Sequence, residues 1–307
     1  MSRILFLGMQ GQFSRTVLAR LLTADVVVVG IGVDGCGEPD PLRYLPPQPP
    51  VGDLPLATPY LHPSIIQLGW QAQIPVWQVG KAAADIVCDT WQPLQPDVGV
   101  VACFSQRLPE GLLNLPRHGF LNLHPSLLPH LRGPEPLFWT FRAGIQQTGV
   151  TLHWLDSGLD TGDMALQREL RLPLGVDGLE AERQTAALAA ELLIEGLQQL
   201  DAGRLPRRPQ AKGGSYHSFP TAADFEIPTG WPARRAFHFM RGTSHWQQPY
   251  TILLPNGEKI VAKTAVAYSE EAGEKTVHTT GRAIPFSPGV LWVIDNSIRP
   301  QRFSENL

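Results

Sequence analysis

Two short segments carry the side chains best suited to chemistry. In GFLNLHPSLLPHLRGPEP (119–136), Asn122 and His124 stand two residues apart on a strand candidate, Phe120–His124, so their side chains leave the same face. Pro125-Ser126 stops that strand and sets both residues at its carboxyl end, where open parallel sheets hold ligands. In GVTLHWLDSGLDTGDMALQ (149–167), Asp160 lies in the Gly-flanked turn GLDTG between two strand candidates, a position that aims a carboxylate at a cleft. Asp156 and Asp163 belong to the same region, and spacing does not choose among the three. An Asn, a His and an Asp meeting at one point would suit acyl transfer without a protein nucleophile. The Asn122 amide would donate to a developing oxyanion. His124, its imidazolium favoured by a neighbouring carboxylate, would share that task and exchange protons. Asp160 would hold the His and help to remove the proton of an attacking amine. The plainer reading is a histidine and an asparagine satisfied by loop backbone.

The elements around these segments read as a mostly parallel α/β sheet. RILFLG, a helical spacing of Phe13, Val17, Leu18, Leu21 and Leu22, and the β-branched run VVVVGIGV make a βαβ unit within about thirty residues. The alternation resumes with a helix from Ser64, the strand IPVWQVG, a short helix Ala82–Cys88 and the buried strand DVGVVACF. Pro134–Ala143 reads as a helix, 150–155 and 164–172 as alternating antiparallel strands. Asp177 to about Leu200 reads as a long helix with Asp177 as N-cap and Gly203 past its end. Residues 1–203 are thus expected to form a catalytic domain, 204–214 a linker, and 215–307 a small β-rich domain with a helix over 232–241. In that last part Pro255-Asn256-Gly257 marks a hairpin, Val277–Arg282 and Val290–Ile294 read as further strands, and four or five strands suggest a partly open, OB-like barrel that stops short of completion. Residues 35–63, with nine of the 29 prolines, break the pattern and read either as a passive surface excursion or as a loop over a site at the carboxyl ends of the strands.

Composition narrows the function classes. At 307 residues, 43% hydrophobic and 17% charged, the chain has ample core and no disordered composition. No apolar run is long enough for a membrane span, and the N-terminus reads as a first strand rather than a secretory signal. Three scattered cysteines (Cys36, Cys88, Cys103) argue for a reducing cytoplasm and against structural zinc or a disulfide framework. The net charge of −3 conceals an asymmetry: residues 1–203 carry 12 basic and 20 acidic side chains, residues 204–307 carry 13 and 8. A basic second part is an opening for a polyanion. Gly8-Met9-Gln10-Gly11 lacks the GxGxxG pattern, with Asp34 the nearest acidic residue after the second strand, and reads as a tight turn rather than a dinucleotide cradle; Walker, GxSxG and HExxH patterns are absent.

NLHPSLLPHLRG followed by TGVTLHWLDSGLDTGDM closely resembles the folate-dependent formyltransferases, and within them the enzymes acting on methionyl-tRNA. The likeness runs to about residue 203 and continues faintly into ADFEIPTGWPARRAFHFMRG. It implies a Rossmann-like catalytic domain, with catalytic roles for Asn122, His124 and Asp160. It implies 10-formyltetrahydrofolate as donor, no metal, and folate contacts from Ser126, Leu127, Leu128 and Pro129. The stretch CFSQRLP (103–109) matches the one that lines the pterin pocket, with Phe104 and Leu108 as its walls. The implied acceptor is methionyl-tRNA, engaged through the basic C-terminal domain. One departure favours a small amine instead, such as a nucleotide-linked amino sugar: the loop 35–63 carries one cation, Arg43, against Glu38, Asp40 and Asp53, and would not attract phosphates. Hydrolysis of the donor, and a folate- or RNA-binding module without activity, are the remaining alternatives; the intact Asn122, His124 and Asp160 argue against the last.

Overall fold

In the computed structural model, described over residues 1–47, 62–271 and 281–295, the chain falls into two compact units, each drawn from several stretches of sequence. The first comprises Met1–Gly133, Thr148–Leu170 and Glu182–Tyr216; the second comprises Pro134–Gln147, Arg171–Ala181 and residues from His217 onward.

The first unit is built on an eight-stranded sheet. In chain order its strands are β1 (Arg3–Gly8), β2 (Val27–Asp34), β3 (Arg43–Tyr44), β4 (Val76–Val79), β5 (Val98–Ala102), β6 (Phe120–His124), β7 (Gln147–Trp154) and β8 (Met164–Arg171), and their order across the sheet is β3-β4-β2-β1-β5-β6-β7-β8. β4, β2, β1, β5 and β6 run parallel, whereas β3 and β7 run antiparallel to their neighbours β4 and β6. The chain winds outward from β1 in one direction through β2 and β4. It then returns to the other side of β1 as β5, so the crevice at the carboxyl ends of β1 and β5 is the switch point where such sheets bind ligands.

Apolar residues on both faces of the strands dictate two helical layers. Ile4 and Phe6 of β1 join one core with Val17, Leu18 and Leu21 of α1 (Gln12–Leu21), Ile65 of α2 (Ile65–Gln71) and Ala189, Leu193 and Leu197 of the long helix; Leu5 and Leu7 join the other with Val87 and Trp91 of α3 (Asp85–Trp91) and Leu112 of α4 (Glu110–Leu113). α2 starts in a capping box, the Ser64 hydroxyl accepting from Gln67 N at 3.2 Å while the Gln67 side chain accepts from Ser64 N at 2.8 Å. Of the irregular loop expected over 35–63, β3 forms a two-residue edge strand, and residues 48–61 lie outside the described residues.

α5 (Pro136–Ala143) belongs to the second unit, and α6 (Gly178–Asp201) opens under the N-cap expected of it, with Leu179 N donating to the Asp177 carboxylate at 2.9 Å. The second unit also holds α7 (Ala233–Gly242) and a five-stranded sheet, β12-β13-β11-β10-β9, from β9 (Glu226–Pro228), β10 (Tyr250–Leu253), β11 (Lys259–Ser269), β12 (Arg282–Pro285) and β13 (Val290–Asp295). Aromatic rings fill its interior: Phe138 stands 5.2 Å from Phe225 and 5.5 Å from Phe239. The strand expected at 277–282 lies mostly outside the described residues, and the described strand begins at Arg282. Residues 204–214, expected as a linker, lie in the first unit, where Met164 and Arg208 exchange backbone hydrogen bonds of 2.8 and 3.1 Å.

Gly99 on β5 shows how tightly the sheet is packed beside β6, since a Cβ there would stand 2.1 Å from the Phe120 ring. Gly99→Val should therefore cost about 1–3 kcal/mol through overpacking, a drop of several degrees in thermal midpoint. Gly111→Ala on α4, where a Cβ meets nothing within 4 Å, should leave the midpoint unchanged or slightly raised; calorimetry on the two variants checks both.

Candidate active site

The end of β6 and the turn after β7 meet at the carboxylate of Asp160. Asn122 and His124 leave the same face of β6, and both reach one oxygen of that carboxylate: Asn122 Nδ2 donates to Asp160 Oδ1 at 3.3 Å, and His124 Nδ1 lies 3.6 Å from the same atom. The antiparallel register of β6 and β7 pairs Asn122 with His153, and this second histidine completes the group. His153 Nε2 stands 3.1 Å from Asn122 Nδ2 and 3.5 Å from Asp160 Oδ1. His153 was not singled out from the sequence, because its place opposite Asn122 depends on which strand pairs with β6 and in what register.

The other two acidic candidates have different employment. Asp156 ties its own turn together, its carboxylate accepting from Gly158 N at 2.9 Å and from the Thr161 hydroxyl at 2.8 Å. Asp163 supplies a backbone carbonyl to Trp154 N at 2.8 Å. Asp160 is fixed from several directions. Its Oδ2 accepts from Gly133 N at 2.9 Å, and its backbone carbonyl accepts from Gln210 Nε2 at 2.8 Å. Gln210 is itself gripped by two guanidinium bonds from Arg132, 3.1 and 2.7 Å. These contacts hold Asp160 at φ 54°, a left-handed conformation costly for a residue with a Cβ; Leu131, whose carbonyl receives His124 Nε2 at 2.8 Å, is held at φ 58°.

Charge follows from this geometry. Burial alone would raise the carboxyl of Asp160, but the two histidines and the Gly133 amide outweigh it and hold the group at about 2. Burial pushes His124 below the usual histidine value, against the pull of Asp160 and the Leu131 carbonyl. At neutral pH the site therefore holds a carboxylate beside a neutral imidazole. Because Nε2 of His124 faces a carbonyl, the proton of that neutral ring sits on Nε2 and the lone pair on Nδ1.

A pocket opens on this group. Asn122 and Asp160 line it together with Phe104 and Leu108 from the loop after β5 and Leu155 and Leu159 from the loop after β7. The first of these loops is anchored to the end of β2: Asp34 accepts from Ser105 N at 2.7 Å and from Gln106 Nε2 at 3.0 Å, and Gln106 Nε2 also donates to Val79 O at 2.8 Å. Asp34 thus shapes the pocket's wall. Arg107 joins the two walls by donating to Ser157 O. Ser126, Leu127, Leu128 and Pro129 do not line this pocket. They build the turn after β6: the buried Ser126 hydroxyl donates to His130 O at 2.7 Å, Leu128 N donates to Thr151 Oγ1 at 3.1 Å, Pro129 O accepts from Ser215 N at 3.2 Å, and Leu127 occupies the space beside Gly149. Among the described residues no group of three or more His, Cys, Asp or Glu has a metal-holding arrangement, and no helix is long and apolar enough to cross a membrane.

Fold and site define a doubly wound α/β protein whose ligand crevice holds a buried Asn–His–Asp group. Comparison with known proteins makes this more specific. Residues 60–197 match the formyl transferase family. The chain is 34% identical over 221 residues to the methionyl-tRNA formyltransferase of Pelobacter propionicus, covering 71% of this chain and 69% of that one, and 36% identical over 186 residues to that of Clostridioides difficile, covering 60% of each. Among solved structures, the N-formyltransferase of Helicobacter canadensis, in complex with folinic acid and dTDP-3-aminofucose, superposes with a TM-score of 0.65 at 13% identity over 96% of this chain and all of that one. HypX from Aquifex aeolicus superposes with a TM-score of 0.60 at 17% identity over 95% of this chain and 43% of that one. The chain belongs to the formyl transferase family. The alignment spans between 60% and 69% of the length of the first three relatives it matches.

The depressed carboxyl gives a signed expectation. A group at about 2 in the folded chain and 3.8 otherwise contributes stability that is present above pH 4 and lost as pH falls towards 2. Relative to Asp160→Asn, the wild type should lose about 2 kcal/mol across that window. Urea unfolding of both proteins at pH 5, 4, 3 and 2.5 measures the convergence; parallel curves would mean that the carboxyl is not held low.

Proposed function

We propose that this protein transfers the formyl group of 10-formyltetrahydrofolate to the amino group of methionyl-tRNA. The observation that carries the reading is the Asp160 carboxylate, shared by Asn122 and His124 at the wall of a pocket whose apolar sides are Phe104 and Leu108. The relatives named methionyl-tRNA formyltransferase support the acceptor. The pterin of the donor packs against Phe104 and Leu108, and the turn Ser126–Pro129 holds that side of the site in shape.

The amine nitrogen attacks the formyl carbon, forming a C–N bond and a tetrahedral intermediate. The proton released from the amine moves to Nδ1 of His124, the position bearing the lone pair. A carboxylate held at about 2 is a poor final acceptor of that proton, so Asp160 acts by stabilising the imidazolium across 3.6 Å. His124 then returns the proton to the departing donor nitrogen as the old C–N bond breaks, releasing tetrahydrofolate and the N-formyl product. The five-stranded sheet of the second unit serves as an OB-like surface for the acceptor RNA, consistent with the basic balance of residues 204–307. The three scattered cysteines support a cytoplasmic setting for the reaction. A second reading, N-formylation of a small amine such as a nucleotide-linked amino sugar, draws on the fold shared with the Helicobacter canadensis enzyme and on the acidic, proline-rich stretch 35–63.

Release of tetrahydrofolate from 10-formyltetrahydrofolate, followed with and without charged initiator methionyl-tRNA, tests the reading. Dependence on the tRNA supports it, whereas release driven only by amino sugars moves the acceptor to the second reading. Affinity for the tRNA should fall steeply with salt if phosphates are engaged. His124→Ala and Asp160→Ala should each lower turnover by roughly 10²–10⁴-fold while equilibrium binding of a folate persists. Loss of folate binding in both would make them structural.

A further inference from the structure

Asp34 is the last residue of β2, the place where doubly wound dinucleotide-binding domains carry the acidic residue that receives a ribose. Here that carboxylate is turned onto the protein itself. Its Oδ2 accepts from Ser105 N at 2.7 Å, and its Oδ1 accepts from Gln106 Nε2 and from Cys36 N, both at 3.0 Å. Gln106 carries the connection further. Its Nε2 also donates at 2.8 Å to the carbonyl of Val79, the last residue of β4, and its Oε1 accepts from Ala82 N at 2.9 Å. The same Val79 carbonyl accepts from Gly35 N at 3.0 Å. A carboxylate and an amide thus clasp the carboxyl ends of β2 and β4 to the loop that leaves β5.

The use of this clasp lies in the loop. Residues 103–109 form neither helix nor strand, so their shape depends on contacts made outside a regular ladder. The loop opens at Cys103 with φ 58°, a left-handed conformation that persists in a residue with a Cβ only where neighbouring contacts impose it. Ser105 N and the Gln106 side chain make such contacts, and Phe104 and Leu108, the apolar sides of the pocket, flank these two anchored residues in the chain.

We propose that Asp34 and Gln106 are positioning residues for the formyl donor: by fixing the loop after β5 they hold Phe104 and Leu108 in the form that receives the pterin. The proposal rests on the formyltransferase reading above. A pocket whose wall is in place only part of the time binds its ligand with an affinity reduced by that fraction. The pair therefore acts on donor affinity. It leaves turnover to Asn122, His124 and Asp160, which stand on β6 and in the turn after β7 and make no hydrogen bond to the clasp. A clasp that served only the packing of strand ends would change stability without singling out the donor.

Equilibrium binding of tetrahydrofolate, read beside steady-state kinetics, tests the assignment. Asp34→Ala removes both oxygens, and Gln106→Leu keeps the bulk of the side chain without its polar atoms. Each should weaken tetrahydrofolate binding by roughly 10–100-fold, the scale of a hydrogen bond to a charged group. KM for the donor should rise in step while kcat keeps its wild-type value, as expected when binding alone is lost. Asp34→Asn, which keeps one acceptor oxygen, should fall between Asp34→Ala and wild type, and it carries the test if the alanine variant does not fold. Because the two residues act through one contact, the double variant should lose less than the product of the single losses. Hydrogen exchange reads the clasp without any ligand: the Ser105 amide should exchange faster in the Asp34 variants than in wild type, with β1 unchanged. Wild-type affinity in folded Asp34 and Gln106 variants, a fall in kcat at unchanged KM, or Ser105 exchange equal to wild type would each overturn the proposal. A wild-type protein that binds no tetrahydrofolate would overturn the formyltransferase reading together with this assignment, whereas donor binding that is indifferent to the variants would overturn this assignment alone.

Discussion

A carboxylate removed from water must be surrounded by donors, and the one at Asp160 organises everything near it. Its burial is tolerated because a backbone amide and a side-chain amide donate to its two oxygens, with imidazole nitrogens of two histidines 3.5 and 3.6 Å from one of them. These groups come from three pieces of chain: Gly133 from the turn after β6, Asn122 and His124 from β6 itself, His153 from β7. Removing any one piece leaves a buried charge short of partners, which is far more costly than losing an exposed ion pair. The requirement fixes strand register, turn conformation and the course of residues 208–210 together.

That requirement accounts for backbone conformations that the sequence does not prefer. Leu131 and Asp160 both sit in left-handed geometry without being glycine, and both present a group to the centre, a carbonyl to His124 in one case and the carboxylate itself in the other. Such conformations persist where surrounding contacts over-determine them, and Arg132, Gln210 and Ser215 provide those contacts: Ser215 Oγ accepts from Leu131 N at 2.9 Å. The stretch that reads as a spacer between domains is in this sense part of the site's frame. On the opposite wall Asp34 and Gln106 play a comparable part, tying the Phe104–Leu108 loop to the ends of β2 and β4.

Several elements were legible before any coordinates. The alternation of buried strands and amphipathic helices, the N-cap at Asp177 and the turn at Asn256-Gly257 all depend on local stereochemistry and solvation, which act over a few residues. The pairing of Asn122 with His124 was legible for the same reason, since a period of two places both on one face. The choice among Asp156, Asp160 and Asp163 was not. All three are turn aspartates, and only the contacts with Asn122, Gly133 and Gln210 distinguish the one that meets β6 from the one that closes its own turn.

By itself the sequence determined the class of sheet, the carboxyl-end location of the chemistry and the family likeness, because hydrophobic period, turn residues and a contiguous motif are local properties. Tertiary structure alone decided that His153 stands opposite Asn122, and that residues 134–147 and 171–181 join the second unit while 204–216 join the first. Those outcomes depend on register between strands distant in sequence and on the partners a buried carboxylate collects, and neither is encoded in any single stretch of chain.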